Sequence, residues 1–349
     1  MNRMSGALLS VVIAIGGFFF FKNFEITGLE GVSFRPRGEH VDDGADQGQG
    51  SVTKTSGEQG SGLSGGGTSF SEGSAHRKDS IKIASFNIQV FGTSKSNKPD
   101  VMAKLANIVR RFDVVAIQEI RSKNQDIIPQ FVNLINATGR KYSFAISERI
   151  GRTVSKEQYV YIFDTETLLL DRTKLYTVPD HNDLLHREPF VGWFRTRGPP
   201  ADKAFTFTLV NIHTDPDETK QELDALADVY RYVKNDGRNE DDVIILGDLN
   251  VDEHHLGRLG SIQGMTNAIT DVPTNTRGTK QYDNLIFHGM HTDEYLRRFG
   301  VFDLKREFNI SEAEALRISD HQPVWGEFSI YEGGPDVGIA NKPNLPVNR

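Results

Sequence analysis

The chain has 349 residues, 37% hydrophobic and 25% charged, with a formal net charge of −7 at pH 7. That length allows one large or two ordinary domains, and an acidic balance gives no overall field to draw in a polyanion, so a nucleic-acid substrate would need local basic residues or bound cations. Cysteine is absent, which excludes disulfides, thiolate catalysis and sulfur-ligated metals.

Residues 1–22 begin with Arg3 and then run uncharged from Met4 to Phe21 before Lys22. This is at the lower edge of what crosses a hydrocarbon layer of roughly 30 Å. No small-x-small cleavage pattern follows, so an uncleaved N-terminal membrane anchor is expected over a cleaved signal peptide. Residues 23–80 read as a flexible Gly/Ser-rich linker, because stretches such as Ser61-Gly-Leu-Ser-Gly-Gly-Gly67 have no apolar periodicity with which to bury a core. The folded domain is expected over 81–330, and 331–349 as a disordered tail.

Within 81–330 strands and helices alternate. Ile81–Phe86 alternates as a strand. Asp100–Phe112 places Val101, Leu105, Ile108, Val109 and Phe112 on one helical face, and Asp113–Glu119 is an apolar strand ending in a carboxylate. A helix over Ile127–Ala137 follows, then strands at Tyr159–Phe163 and Phe205–Ile212. A helix over Glu218–Val233 turns Leu223, Leu226, Ala227 and Tyr230 inward. Val243-Ile-Ile-Leu246 is a strand buried on both faces, and Asn284–Phe287 and Val324–Ile330 are the last two strands. With both element types packing in layers, sheets covered by helices are expected.

The strand ends release polar groups: Asn87, Gln118-Glu119, Asn211-Ile212-His213, Gly247-Asp248-Leu249-Asn250 and Ser319-Asp320-His321, with Asp283 at the entry to another strand. Each alone reads as a turn residue or a solvated side chain. Together, at the ends of buried strands, they point to a site, since isolated buried charges are costly. In Gly247-Asp248-Leu249-Asn250 a carboxylate and an amide lie two residues apart, so an extended backbone presents them to the same side.

Taken in order, Ser85-Phe86-Asn87-Ile88, Gln118-Glu119-Ile120-Arg121, His213, Gly247-Asp248-Leu249-Asn250 and Ser319-Asp320-His321-Gln322-Pro323 resemble the endonuclease/exonuclease/phosphatase superfamily. The deoxyribonuclease I branch is the most similar, across about residues 81–330. The segment from Ser147-Glu148 through Gly151-Arg152 to Lys156-Glu157-Gln158-Tyr159 and the run His186-Arg187-Glu188-Pro189 resemble it too. The resemblance implies an α/β (α+β) fold: a four-layer α-β-β-α sandwich of two mixed sheets, with the site where their strand ends meet. It implies a largely nonspecific DNA endonuclease that hydrolyses phosphodiesters with a divalent metal. The metal would be Mg²⁺, with Mn²⁺ able to substitute, held by Glu119, Asn87, Asp248 and Asp320, an all-oxygen set that suits a hard cation.

By the same resemblance, Glu157 pairs with His213 and Asp283 with His321, and these four with Asn250 form the catalytic set. His321 would be the general base and His213 the general acid or phosphate donor, with the two roles open to exchange. Arg121 and Arg187 would contact double-stranded DNA, reading shape rather than sequence. The family's partner tyrosine aligns with Ser155, and Glu253 and Lys280 lie near positions where disulfide cysteines are expected. Asp180 and Asp183 could hold Ca²⁺, set against the plainer reading of solvated loop acids. A monomeric catalytic domain outside the cytoplasm is expected, since a nonspecific nuclease facing the cell's own DNA would be hazardous. Two other readings compete: a phospholipid or inositol-phosphate phosphodiesterase of the same superfamily, and a catalytically inactive binding module.

Overall fold

The computed structural model describes residues 79–152 and 156–334. The expected anchor over 1–22, the linker up to 78, Ser155 and the tail from 335 lie outside the described residues. Among the described residues, no helix is long and apolar enough to cross a membrane.

Among the described residues, thirteen strands form two mixed sheets. In chain order they are β1 (Ser80–Phe91), β2 (Val114–Ile120), β3 (Tyr142–Ile146), β4 (Gln158–Asp164), β5 (Leu168–Leu170), β6 (Tyr176–Thr177), β7 (Phe190–Thr196), β8 (Thr206–His213), β9 (Val243–Asp248), β10 (Met265–Asn267), β11 (Asp283–His288), β12 (Tyr295–Val301) and β13 (Val324–Ser329). The first sheet runs β12-β13-β1-β2-β4-β3 and the second β10-β11-β9-β8-β7-β5, with β6 on β7. Among the described strands, only the pairs β1–β2 and β8–β9 are parallel. The parallel pairs sit inside their sheets and must be covered on both faces, which is why their sequences are continuous apolar runs.

The two-residue period of a strand distributes those runs between three cores. In β2, Val114 and Ala116 face the second sheet while Val115 and Ile117 face the helices Pro99–Val109 and Ile127–Asn136. In β9, Ile244 and Leu246 face the first sheet while Val243 and Ile245 pack under the helix Thr219–Lys234. The order is therefore helices, sheet, sheet, helix: the expected four-layer sandwich. The layer between the sheets is rich in phenylalanine, with Phe194 stacked on Phe207, Phe207 on Phe205 and Phe205 on Phe328.

Each strand and helix expected above is present, with boundaries shifted by a few residues. The first helix stops at Val109, and Phe112 reaches the core from the turn that follows. Several elements had no sequence-based expectation. The apolar run of β7 is broken by Gly192 and Arg195, and β12 is an edge strand whose Arg297 and Arg298 face solvent. The helix Glu312–Ile318 did carry a signal. Ser311 and Glu314 form a capping box, each accepting the other's backbone N–H.

Gly247 near the end of β9 is dictated by close approach. At φ +152° an added Cβ would lie 1.9 Å from the Ile212 carbonyl oxygen of the neighbouring parallel strand. Gly247→Ala should therefore cost on the order of 3 kcal/mol or more, combining backbone strain with a collision that can be relieved only by moving β8 from β9. Gly139, at φ +86° with nothing within 4 Å of its Cβ position, should tolerate alanine at about 1–2 kcal/mol. Urea denaturation of the two variants checks this, and equal losses would contradict it.

Candidate active site

All the strand ends singled out in the sequence meet at one pole of the sandwich. The parallel strands β8 and β9 put His213 opposite Asp248, and the antiparallel neighbour β11 puts Asp283 opposite Asp248 on its other side. These three residues form a row across adjacent strands. From the first sheet, β1 and β2 contribute Asn87 and Glu119 just where both strands slip register. Glu119 adopts φ +64°, and Gln89 and Val90 are also left-handed. Bulges of this kind re-aim side chains at the edge of a sheet, and the strain of a left-handed glutamate is held by a hydrogen bond from Val90 N to Glu119 Oε2 at 2.8 Å.

Asp248 Oδ2 is the point of convergence. Asn87 Nδ2 donates to it at 3.0 Å, and His213 Nε2 and His321 Nε2 lie 3.6 and 3.5 Å away. Each imidazole is held from behind by a carboxylate at 2.9 Å: His213 Nδ1 by Glu157 Oε1, and His321 Nδ1 by Asp283 Oδ2. A third layer fixes those carboxylates. Thr274 Oγ1 donates to Asp283 Oδ2 at 2.7 Å. Arg187 Nε and Arg121 Nη2 lie 3.3 and 3.7 Å from Glu157 Oε2. Tyr282 leans over the His321 ring at 5.8 Å.

The electrostatics follow from this nesting. Burial opposes charge on His213, but Glu157 and Asp248 outweigh it and raise its pKa. Burial likewise acts against charge on Glu157, yet His213, Arg187 and Arg121 together hold its carboxyl below the usual range. At the second pair both partners move upward: burial lifts Asp283, while Asp283 and Asp248 overcome burial to lift His321 well above the ordinary imidazole value. One proton cannot belong to both. We place it on the imidazole, because each ring nitrogen of His321 faces a carboxylate oxygen.

Asn87 turns its amide nitrogen, not its oxygen, to the acids. Nδ2 donates to Glu119 Oε1 at 3.2 Å as well as to Asp248, while Oδ1 accepts from Gln89 N. One amide group thus marks where two carboxylates converge, and with Asp320 Oδ1 4.0 Å from His321 Nε2 this oxygen-rich wall has the chemistry of a hard divalent-cation site. Glu119, Asp248 and Asp320 would be its carboxylate ligands. Asn250, at φ +54°, donates its side-chain amide to the Thr214 carbonyl. Arg121 lies at the rim, 3.2 Å from Glu119 Oε2 and partly exposed, whereas Arg187 is buried, with Nη1 donating to the His213 carbonyl. Asp180 and Asp183 are otherwise engaged, the first with Leu185 N and the second with Arg152.

Lys95 had no sequence signal, lying in a four-residue helix too short for periodicity. Buried beneath the site, its ammonium donates to the carbonyls of Gln89 and Ile318, tying the ends of the segments that carry Asn87 and Asp320. Ser319 adds a second tie, from Oγ to the Asn87 carbonyl at 2.7 Å.

Residues 84–321 match the Endonuclease/Exonuclease/phosphatase family. Among curated proteins, the chain is 36% identical to Deoxyribonuclease-1-like 1 of Cricetulus griseus, covering 72% of this chain and 84% of that protein. It is 32% identical to Deoxyribonuclease gamma of Rattus norvegicus, covering 71% and 84%. Among solved structures, the human Nocturnin catalytic domain superposes with a TM-score of 0.52 at 13% identity, covering 72% of this chain and 94% of that one. Truncated Caenorhabditis elegans TDP2 gives 0.50 at 16%, covering 72% and 98%. At such identities the structural likeness concerns the fold alone.

Beside the site, Glu222 of the helix Thr219–Lys234 is buried and accepts His186 N at 2.9 Å, bracing the segment that carries Arg187. Burial pushes its carboxyl up to about 7. The folded chain therefore holds this proton more tightly than the unfolded chain, so the contribution is full below pH 4.5 and is lost as pH rises towards 7. Glu222→Gln should flatten that decline by on the order of 3 kcal/mol. Denaturant titrations from pH 4.5 to 8 test this, and parallel curves for the two chains would refute it.

Proposed function

The chain belongs to the Endonuclease/Exonuclease/phosphatase family and is a hydrolase of phosphoric ester bonds, and from that premise we propose that it is a Mg²⁺-dependent, largely nonspecific endonuclease of double-stranded DNA. The observation that carries the mechanism is the pair of carboxylate-backed imidazoles whose Nε2 atoms flank the same oxygen of Asp248. DNA as substrate is favoured by the relatives named deoxyribonucleases and by Arg121 at the rim of the site.

Phosphodiester hydrolysis needs a base for the attacking water, donors for the phosphoryl oxygens and a proton for the leaving oxygen. His321, fixed by Asp283, takes the water proton on Nε2 as the water oxygen bonds to phosphorus. His213, fixed by Glu157, gives its Nε2 proton to the ester oxygen as the phosphorus–oxygen bond breaks. The reverse assignment uses the same geometry. Glu119, Asp248 and Asp320 would hold a divalent cation, which would supply positive charge beside the phosphate and offset Asp248, whose charge otherwise holds His321 protonated. Asn87 keeps the carboxylates apart and aligned, and Asn250 contributes an amide donor towards the phosphate. Arg121 enters the groove as a cation that reads width, and Arg187 acts from below by holding Glu157. The net charge of −7 makes affinity depend on few contacts and on salt. A location outside the cytoplasm accords with such an activity, and exposure of the domain to protease in intact cells would support it.

Purified protein should nick supercoiled plasmid with Mg²⁺ or Mn²⁺ and lose that activity in EDTA. His321→Ala and His213→Ala should each lower the rate by about 10²–10⁴, and Asp248→Asn by at least as much. Sphingomyelin and inositol phosphates in parallel reactions separate the lipid reading. Plasmid left intact with Mg²⁺ present, or unaltered nicking by His321→Ala, would overturn the proposal.

A further inference from the structure

At the pole opposite the active site, a second group of acids lies where both sheets end. Asp242 immediately precedes β9, Glu294 precedes β12, and Glu332 follows β13. One oxygen from each comes within 4.8 Å of the others. Asp242 and Glu294 are each only 1% exposed, and among the described residues no ion pair reaches any of the three. Further acids lie beside them: Glu240 Oε1 accepts Asp242 N at 3.0 Å, and Asp293 and Asp241, the latter paired with His291, are sequence neighbours.

Two features make this more than an accumulation of surface acids. The first is bracing. Glu294 Oε1 accepts Gly333 N at 2.6 Å and Glu332 Oε2 accepts Thr206 N at 3.0 Å. The Asp242 backbone is fixed by a hydrogen bond from Thr208 N at 2.8 Å. The second is vacancy in hydrogen bonding. Asp242 Oδ1 and Glu294 Oε2 are buried with no hydrogen-bond partner, and the Thr292 hydroxyl lies beside Asp242. A buried, unpaired carboxylate oxygen is costly, and several together more so.

We propose that Asp242, Glu294 and Glu332 form a second divalent-cation site, specific for Ca²⁺, that clamps the two sheets together at the pole remote from catalysis. Three carboxylates with a nearby hydroxyl make a hard, oxygen-only set, and Ca²⁺ accepts the irregular geometry such a set offers more readily than Mg²⁺ does. Glu332 is exposed and gives the ion its way in. Because β8, β9, β12 and β13 all begin or end here, the ion joins the second sheet to the first.

The test uses the full chain stripped with EDTA. The chain has two tryptophans. Trp193 Nε1 donates to Glu240 Oε2 at 2.7 Å beside the cluster, whereas Trp325 lies against Lys82 in the first sheet. Tb³⁺ should give luminescence sensitised through Trp193, displaced by Ca²⁺ well before Mg²⁺, and lost in Trp193→Phe. A hundredfold excess of Ca²⁺ over its Kd should raise the thermal midpoint by about 5–10 °C. Glu294→Gln and Glu332→Gln should abolish that rise while melting in EDTA at or above the wild-type midpoint, because each removes a repelling charge. Asp248→Asn, which damages the catalytic site, should keep the rise. A wild-type midpoint indifferent to Ca²⁺, or an equal rise in both glutamine variants, would overturn the proposal and leave proton-sharing acids in its place.

Discussion

One oxygen atom organises the pole where the polar strand ends meet. Asp248 Oδ2 receives the Asn87 amide from the first sheet, faces His213 from the strand beside it, and faces His321 from the loop before β13. A carboxylate buried this deeply is tolerable only because donors surround it, and the donors are held only because each has its own support behind it. Glu157 and Asp283 orient the imidazoles, Arg187 and Thr274 hold those acids, and Lys95 fastens the backbone beneath. Removing the charge of Asp248 would leave two imidazoles without the group that both face.

The topology makes this convergence possible. Parallel strands deliver their carboxyl ends to the same side, so each sheet's parallel pair ends at the same pole. Asn87 and Glu119 come from one pair, His213 and Asp248 from the other. Glycine at 247 brings β9 close enough to β8 for Asp248 to lie beside His213. The many substrates served by this fold elsewhere underline that the sandwich supplies only the platform. Under the proposed function, the distinction between phosphoester substrates would rest on what lies at the rim, where Arg121 is partly exposed.

Much of this was legible in the sequence, for definite reasons. The strands of the parallel pairs announced themselves by unbroken apolar runs, and the polar residues at their ends stood out against that background. Which sheet each strand joins was not legible from periodicity, and the family resemblance implied only the layering into two mixed sheets. Strands β7 and β12 escaped because a glycine, an arginine pair and an exposed edge erase alternation. Glu157 precedes an apolar strand and gave no local sign of its pairing with His213, 56 positions later, since that pairing is a property of the closed sandwich. The capping box at Ser311 and Glu314 was visible but unused. Lys95 carried no sign at all, because its partners are backbone carbonyls contributed by distant segments.

The stacked phenylalanines between the sheets have a further consequence. Phe194, Phe207, Phe205 and Phe328 form a continuous ladder from the second sheet into the first, and the polar groups of the candidate site are divided between those same two sheets. The ladder therefore serves as the joint of a two-jawed tool: its thickness sets the gap across which the jaws meet. A smaller side chain there touches neither the carboxylates nor the histidines of the candidate site, yet it would misalign both, so genetic lesions in this layer would masquerade as defects of the chemistry itself.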